Sequence, residues 1–360
     1  MTAERADIVI IGAGQAGLGS AHAAQRAGMQ PVVLEAAAEP AGSWPHYYES
    51  LELFSPARYS ALPGRPLPGD PERYPTRDEL AAYLRDYAAW LGADLRTRER
   101  VRRVSVLGDR DFEVETESGL LLRPELPGGD AFRGSVAHTA EYRRPDGYAG
   151  RRVIVVGGGN SAVQVADELA RVARVSLATR SPVKWQAQRP LGRDMHWWFD
   201  RSGLDAVPIG RLWLRLDGNP VVDDGRYRAA LRSGNPDRRP MLSGLDGDAV
   251  RWSDGTLERV DAVILATGYR PGLDYVAVAG ALDGDDQPLH RRGVSTTVPG
   301  LGYVGLPHQR SIASATLRGS GPDAEYVIGR LLAAARRART PRRLALPALQ
   351  LRPSPTRSRS

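Results

Sequence analysis

Short apolar runs alternate along this chain with stretches whose apolar positions recur at helical spacing. Asp7-Ile8-Val9-Ile10-Ile11 is an unbroken apolar run behind one acid, a buried-strand pattern. A helix to Ala27 follows, then a second strand, Val32-Val33-Leu34-Glu35. Thr76 and Glu79 form a capping box ahead of a helix whose apolar face is Tyr83, Leu84, Tyr87, Ala88 and Leu91. Residues 100–106 and 112–116 alternate as an antiparallel hairpin around Gly108-Asp109. Val153 to Val156 is β-branched throughout, a second buried strand, and Val163, Ala166, Leu169 and Ala170 mark the helix after it. Strands are predicted again at Val175–Thr179, from Asp261 into a small-residue turn ending at Tyr269, and at Leu301–Leu306 before and after a glycine. A last helix is predicted over 322–339, with Tyr326, Ile328, Leu331 and Leu332 on its apolar face.

Two of the strand-to-helix joints carry glycine loops. In the first, Gly12 permits a tight turn, Gly14 lets backbone approach a pyrophosphate, and Gly17 lets helix and strand pack closely. Gln15 lies inside that loop, and the helix N-terminus offers amides and positive dipole to an anion. Glu35, ending the second strand, suits ribose hydroxyls and repels a 2′-phosphate, which favours FAD or NAD over NADP. The second loop is Gly157-Gly158-Gly159-Asn160-Ser161-Ala162, again between strand and helix. Here the strand-end position is Arg180, with Ser181 and Lys184 beyond it. Arginine's planar fork matches phosphate oxygens, although a solvated loop arginine is the plainer reading. Ala41 to Tyr48, with Trp44, reads equally as a segment beside a flavin or as an aromatic core loop.

Composition narrows the classes. With 360 residues, 42% hydrophobic and 25% charged, the chain has room for two or three ordinary globular cores. Its net charge of +7 is almost all arginine, since Lys184 is the only lysine, and the arginines are scattered rather than gathered on one domain. A nucleic-acid partner is therefore not expected. No membrane span and no signal peptide is readable, so the expected compartment is the cytoplasm. The absence of cysteine removes disulfides, thiolate metal sites and C-x-x-C redox chemistry, and the six histidines have no metal-ligand spacing.

Four signatures in order make the chain resemble the flavin-containing monooxygenases, including bacterial proteins similar to the plant YUCCA enzymes. They are the GAGQAG loop, F-x-G-x-x-x-H-x-x-x-Y at Phe132, Gly134, His138 and Tyr142, the GGGNSA loop, and LATGY at Leu265 to Tyr269. Baeyer–Villiger monooxygenases usually place tryptophan where Tyr142 stands, and disulfide oxidoreductases with two dinucleotide folds are excluded by the missing cysteines.

The resemblance implies an α/β chain with two Rossmann-like dinucleotide-binding domains, one for FAD and one for NADPH, the second inserted in the first. Their expected extents are 1–131 plus 268–339 for FAD and 132–267 for NADPH, with 340–360 a disordered basic tail. It further implies a monooxygenase that oxygenates a small organic substrate with dioxygen through a flavin C4a-hydroperoxide. His138 is implied as part of the segment that links the domains and places NADPH, and Thr267 and Gly268, within LATGY, as cofactor-binding residues. Composition alone makes a lone histidine a structural hydrogen-bonder. The alternatives are a flavoprotein NADPH oxidase or reductase, and a degenerate nucleotide-binding protein without turnover.

The chain departs from the family in two places. Members carry a strand ending in an A-T-G-like turn before the histidine motif; here 115–128 runs almost directly onward, which shortens a hinge and leaves a neighbouring strand unpaired. At Leu53-Phe54-Ser55-Pro56, amine- and sulfide-oxygenating members often place an asparagine, and that role is not carried over. Arg189 to Phe199 is aromatic and basic, suited to a pocket for an acidic substrate or to a core or domain interface. The substrate itself and the oligomeric state, including self-association, are not legible.

Overall fold

The computed structural model describes residues 6–107, 112–116, 132–207, 220–268 and 272–339. The hairpin tip at 108–109, the shortened connection over 117–131, Tyr269 and the tail from 340 lie outside them.

Strand β1 (Ile8–Ile11) runs through the first glycine loop into helix α1 (Gln15–Arg26) and returns as β2 (Pro31–Leu34). Helix α2 (Arg77–Leu91) precedes β3 (Asp94–Arg96), and the three strands form one parallel sheet in the order β1-β2-β3. Both halves of the expected capping box at Thr76 and Glu79 are present. Strands β4 (Val101–Val106) and β5 (Phe112–Thr116) make the antiparallel hairpin.

The second sheet is five-stranded and wholly parallel, in the order β11 (Asp237–Pro240), β8 (Arg174–Thr179), β7 (Arg152–Val156), β15 (Ala262–Leu265) and β6 (Ser135–His138). It is built from β6 (Ser135–His138), β7 (Arg152–Val156), α3 (Asn160–Leu169) and β8 (Arg174–Thr179). A layer follows of β9 (Trp185–Ala187), α4 (Met195–Ser202), β10 (Val221–Asp223) and α5 (Arg226–Ser233). The chain re-enters the sheet as β11 (Asp237–Pro240). It then makes the antiparallel meander β12 (Leu242–Asp246), β13 (Ala249–Trp252) and β14 (Leu257–Arg259) before β15 (Ala262–Leu265). From β7 the chain leaves to β8 on one side and comes back to β15 on the other. The second glycine loop therefore stands at a topological switch point, where ligands of open α/β sheets bind.

The β-branched run of β7 is explained by its position. Val153 and Val155 face a core shared with α3, while Ile154 and Val156 face a second core with Val250, Trp252 and Val263. A strand covered on both faces has no place for polar alternation. Burying each such side chain contributes roughly 1.5–3 kcal/mol.

Two expected elements differ. Residues 301–306 are not a strand: one bridge, Val294 to Gly302, is formed, and the segment runs as a loop. The cause is tertiary, since Tyr303 turns into an aliphatic core of Leu34, Val101, Val276 and Val298 and donates its N–H to Gly293 O and its hydroxyl to Ala281 O. The final helix, α6, spans Leu317–Arg339 and so begins before Pro322, which lies inside it. Small residues make this early start workable. A Cβ on Gly319 would stand 1.9 Å from Ala313 O and one on Gly321 2.2 Å from Pro63, so only glycines let that turn seat against its neighbours. The buried face of α6 is Ala324, Val327 and Ile328; Tyr326 lies beside it under Arg310, whose guanidinium is 4.4 Å from its ring centroid. Among the described residues no helix is long and apolar enough to cross a membrane.

Two histidines are held neutral by the packing. Burial, and then Arg26, lowers the pKa of His22, whose ring stacks on Trp90, against a smaller opposing effect of Glu325; burial lowers that of His308. Each leaves Nδ1 buried without a partner. Because the unfolded chain takes up these protons first, stability should be fully present above about pH 6.5 and fall as pH drops through the lower folded values. Melting temperature followed from pH 7 down to pH 5 checks this, and replacing both with glutamine should flatten that part of the profile.

Candidate nucleotide and flavin site

Each glycine loop delivers an uncapped helix. Gly14 precedes α1 and Gly159 precedes α3, both with extended backbone, no side-chain cap and no acidic residue in the first turn. Helix α2 shows the contrast, with Thr76 capping it and Asp78 and Glu79 in its first turn. The first-turn amides and positive ends of α1 and α3 are thus available to an anion, which fits the pyrophosphate of a dinucleotide.

In the first loop, Gly12 takes φ +94° and donates to Leu34 O at 2.8 Å, closing the loop on β2. Glu35 is buried, and its carboxylate accepts from Ala13 N at 2.6 Å and Ala37 N at 2.8 Å. The carboxylate therefore braces the glycine loop itself while retaining lone pairs for ribose hydroxyls. Gly14 faces Gly42 of the tryptophan segment; a Cβ there would lie 3.6 Å from Gly42 Cα. Gln15 is the hub of a short chain of bonds: its Nε2 donates to Ala315 O at 2.7 Å, and its Oε1 accepts from Trp44 Nε1 at 2.8 Å.

The tryptophan segment does more than fill a core. Trp44 joins the first loop, and Tyr48 is buried among Val153, Tyr142 and α3, with its hydroxyl on Gln164. Glu49 N bonds Arg143 O, and Arg77 holds Tyr47 O at 2.6 Å. This segment thus ties the first glycine helix to the second.

In the second loop, Gly157 takes φ +144° and sits against β15, where a Cβ would be 2.3 Å from Ala266 O. Gly158 and Gly159 are exposed, and Ser161 opens the first turn of α3 half-buried. Asn160 turns away from the loop's mouth: its Oδ1 accepts from Val222 N at 2.9 Å, fastening β10 beside the loop. Arg180 follows β8 and is exposed; Lys184 is also exposed, and its carbonyl accepts from Val221 N.

His138 ends β6 and reaches the opposite crossover. Its Nδ1 accepts from Ala140 N at 3.2 Å, and its Nε2 lies 3.2 Å from Gly268 O. That pair of contacts selects the neutral tautomer protonated at Nε2, so the ring clips Gly268, beside Thr267, to the end of β6. Gly268 needs its φ of +90° for this approach. Tyr142, four residues on, donates to Glu168 at 2.9 Å; burial and then Glu168 push its phenol far up, so it stays protonated.

Sequence reasoning missed a third group. Asp194 caps α4 and accepts from His196 N, His196 Nδ1 and, at 2.6 Å, the Tyr74 hydroxyl. Burial works against its charge, yet His196 and Tyr74 hold its pKa below the usual range. The His196 ring stacks near-parallel with Phe54 and Tyr59. Arg318 of α6, largely buried, pairs with Asp205 just past α4 at 3.2 Å. The aromatic run 189–199 is therefore a contact layer against residues 54–74, the interface alternative that its composition offered.

The pyridine nucleotide-disulphide oxidoreductase family model matches residues 9–193, from β1 through both glycine loops to Arg193. The chain belongs to this family. The disulfide chemistry in the family's name cannot operate without cysteine, so the exclusion drawn from composition holds for that reaction and not for the family. An oxidoreductase of Geobacillus kaustophilus, "CzcO-like", is 30% identical over 91% of this chain and 98% of its own length. Indole-3-pyruvate monooxygenase YUCCA4 of rice is 32% identical over 74% of this chain and 75% of its own. A flavin-containing monooxygenase from Stenotrophomonas maltophilia superposes with TM-score 0.79 at 30% identity, over 92% of this chain and 99% of that one. Within the family, this oxidoreductase stands with the flavin-dependent monooxygenases, as its four signatures implied.

Proposed function

We propose that this oxidoreductase is an FAD- and NADPH-dependent monooxygenase of small organic molecules, using dioxygen as co-substrate. The observation that carries the reading is the pair of uncapped glycine-loop helices with opposite charge at their strand ends, buried Glu35 at one and exposed Arg180 at the other. Gly12, Gly14, Gln15, Gly17, Glu35 and Trp44 hold FAD. Gly157, Gly159, Asn160, Ser161, Arg180 and Lys184 hold NADPH, Asn160 by fixing β10 beside the loop. The FAD-binding domain comprises 1–131 and 268–339, and the NADPH-binding domain is the inserted 132–267.

FAD, when bound, supplies the chemistry, accepting hydride from NADPH and activating dioxygen. The chain's residues orient it. Glu35 keeps the first loop shaped for ribose hydroxyls and repels a 2′-phosphate there, which sends NADPH to the second loop. His138, with its proton on Nε2 toward Gly268, fixes the crossover between the domains and is a positioning residue. The Trp44–Gln15–Ala315 bonds hold the first loop between the tryptophan segment and the turn before α6, and the Phe54–His196–Tyr59 stack seats α4 on residues 54–59.

The visible spectrum of the purified protein, followed anaerobically through NADPH addition and then on admitting air, tests this reading. The expected result is a flavin band that NADPH bleaches and air restores, with an oxygenated product in a substrate screen. Reoxidation that yields hydrogen peroxide with every substrate tried would make it an oxidase, and a colourless protein that FAD cannot reconstitute would make it a binder without turnover.

A further inference from the structure

Strand β8 ends at Thr179, and β11 lies along its outer edge, parallel, with Arg238 opposite Leu177 and Pro240 opposite Thr179. Paired residues share a face, as do residues two apart, so Arg238 and Thr179 project on the side where Leu177 packs with α3. There Arg238 Nε donates to Thr179 Oγ1 at 2.8 Å, between residues 59 apart in sequence. The Thr179 methyl stands under the second glycine loop, where a Cβ on Gly158 would meet it at 3.7 Å. Loop, strand end and guanidinium therefore converge on the position next to Arg180.

Among the described residues no carboxylate pairs with Arg180 or Arg238, whereas the adjacent Arg239, on the other face, pairs with Glu258, which Arg152 also engages. The Thr179 bond uses one of five guanidinium N–H groups and leaves the terminal nitrogens for an anion. Thr179 is buried, so the anchor is fixed and little freedom is lost when the arginine engages.

We propose that Arg238 is a second reader of the NADPH 2′-phosphate, acting with Arg180 as a two-arginine clasp and positioned by Thr179. A dianionic phosphomonoester with three terminal oxygens fits two guanidinium forks, whereas the ribose of NADH offers only hydroxyls. This proposal rests on the NADPH reading of the second loop.

The test is equilibrium binding of 2′,5′-ADP and of 5′-AMP to the full-length, FAD-loaded protein, which needs no turnover. Arg238→Ala should weaken 2′,5′-ADP by about tenfold or more and leave 5′-AMP within about twofold. Thr179→Val should act in the same direction but less, and the double variant should be no weaker than Arg238→Ala alone. An unchanged ratio in Arg238→Ala, with the ratio collapsed in Arg180→Ala, overturns the clasp and leaves the NADPH reading standing. Unchanged ratios in both overturn the NADPH reading as well. Should Arg238→Ala lose both probes together, Arg238→Gln is measured, and equal loss of both probes there also overturns the proposal.

Discussion

Replacing Gly17 with valine is expected to give a protein that purifies without flavin and melts well below the parent. An ideal Cβ at position 17 lies 1.7 Å from Gly12 O and 2.9 Å from Gly12 C, a clash with backbone that no rotamer relieves. Gly12 cannot retreat, because its φ of +94° and its bond to Leu34 O close the loop onto β2. Either the loop opens or α1 lifts from the sheet, and each outcome removes the amides that face the pyrophosphate. The expected loss is roughly 3 kcal/mol or more of stability, with the linked loss of bound cofactor added to it. Gly14→Ala is the control for the melting curve alone, since a Cβ there meets only ordinary protein contact at 3.6 Å and its backbone is extended, while position 14 itself faces the pyrophosphate. Flavin absorbance per protein and the melting curve measure both. A Gly17→Val protein with parental flavin content and melting temperature would show that this loop is not what holds the flavin.

Arg180→Glu is expected to weaken NADP⁺ binding by about a hundredfold while changing NAD⁺ by less than about threefold, because it removes a charge-assisted contact and adds repulsion of a dianion. Arg180 is exposed at the end of β8, so the substitution should leave the fold intact. Titration of both nucleotides against the FAD-loaded protein checks it. Equal effects on the two would mean that Arg180 does not read the phosphate. The same substitution should make the second site resemble the first, where Glu35 already occupies the strand end.

Much of this was legible because local sterics dictate it. Gly12 and Gly17, the apolar β1 and β7, the Thr76 capping box and the strand-end charges at Glu35 and Arg180 lie within short windows of sequence. Each constrains backbone or charge within its own window, so pattern and spacing suffice. The errors came where distant packing overrides local preference. The 301–306 loop has strand composition but gives its hydrogen bonds to Gly293 and Ala281, and α6 starts before its proline because Gly319 and Gly321 fit Ala313 and Pro63. Asn160 has the right loop position, yet β10 claims its side chain.

The sequence by itself determined two glycine-loop strand-to-helix units, their unlike charges, the absence of thiol chemistry and the family. The tertiary structure decided which distant residues those units bring together. It set Arg238 against Thr179, Tyr74 against Asp194, Tyr48 against α3 and Gln15 against Ala315. The physical reason is that an exposed arginine or a buried tyrosine carries no mark of its partner in the residues beside it. Sheet order and register choose that partner, and they are fixed by the burial of whole faces of the cores.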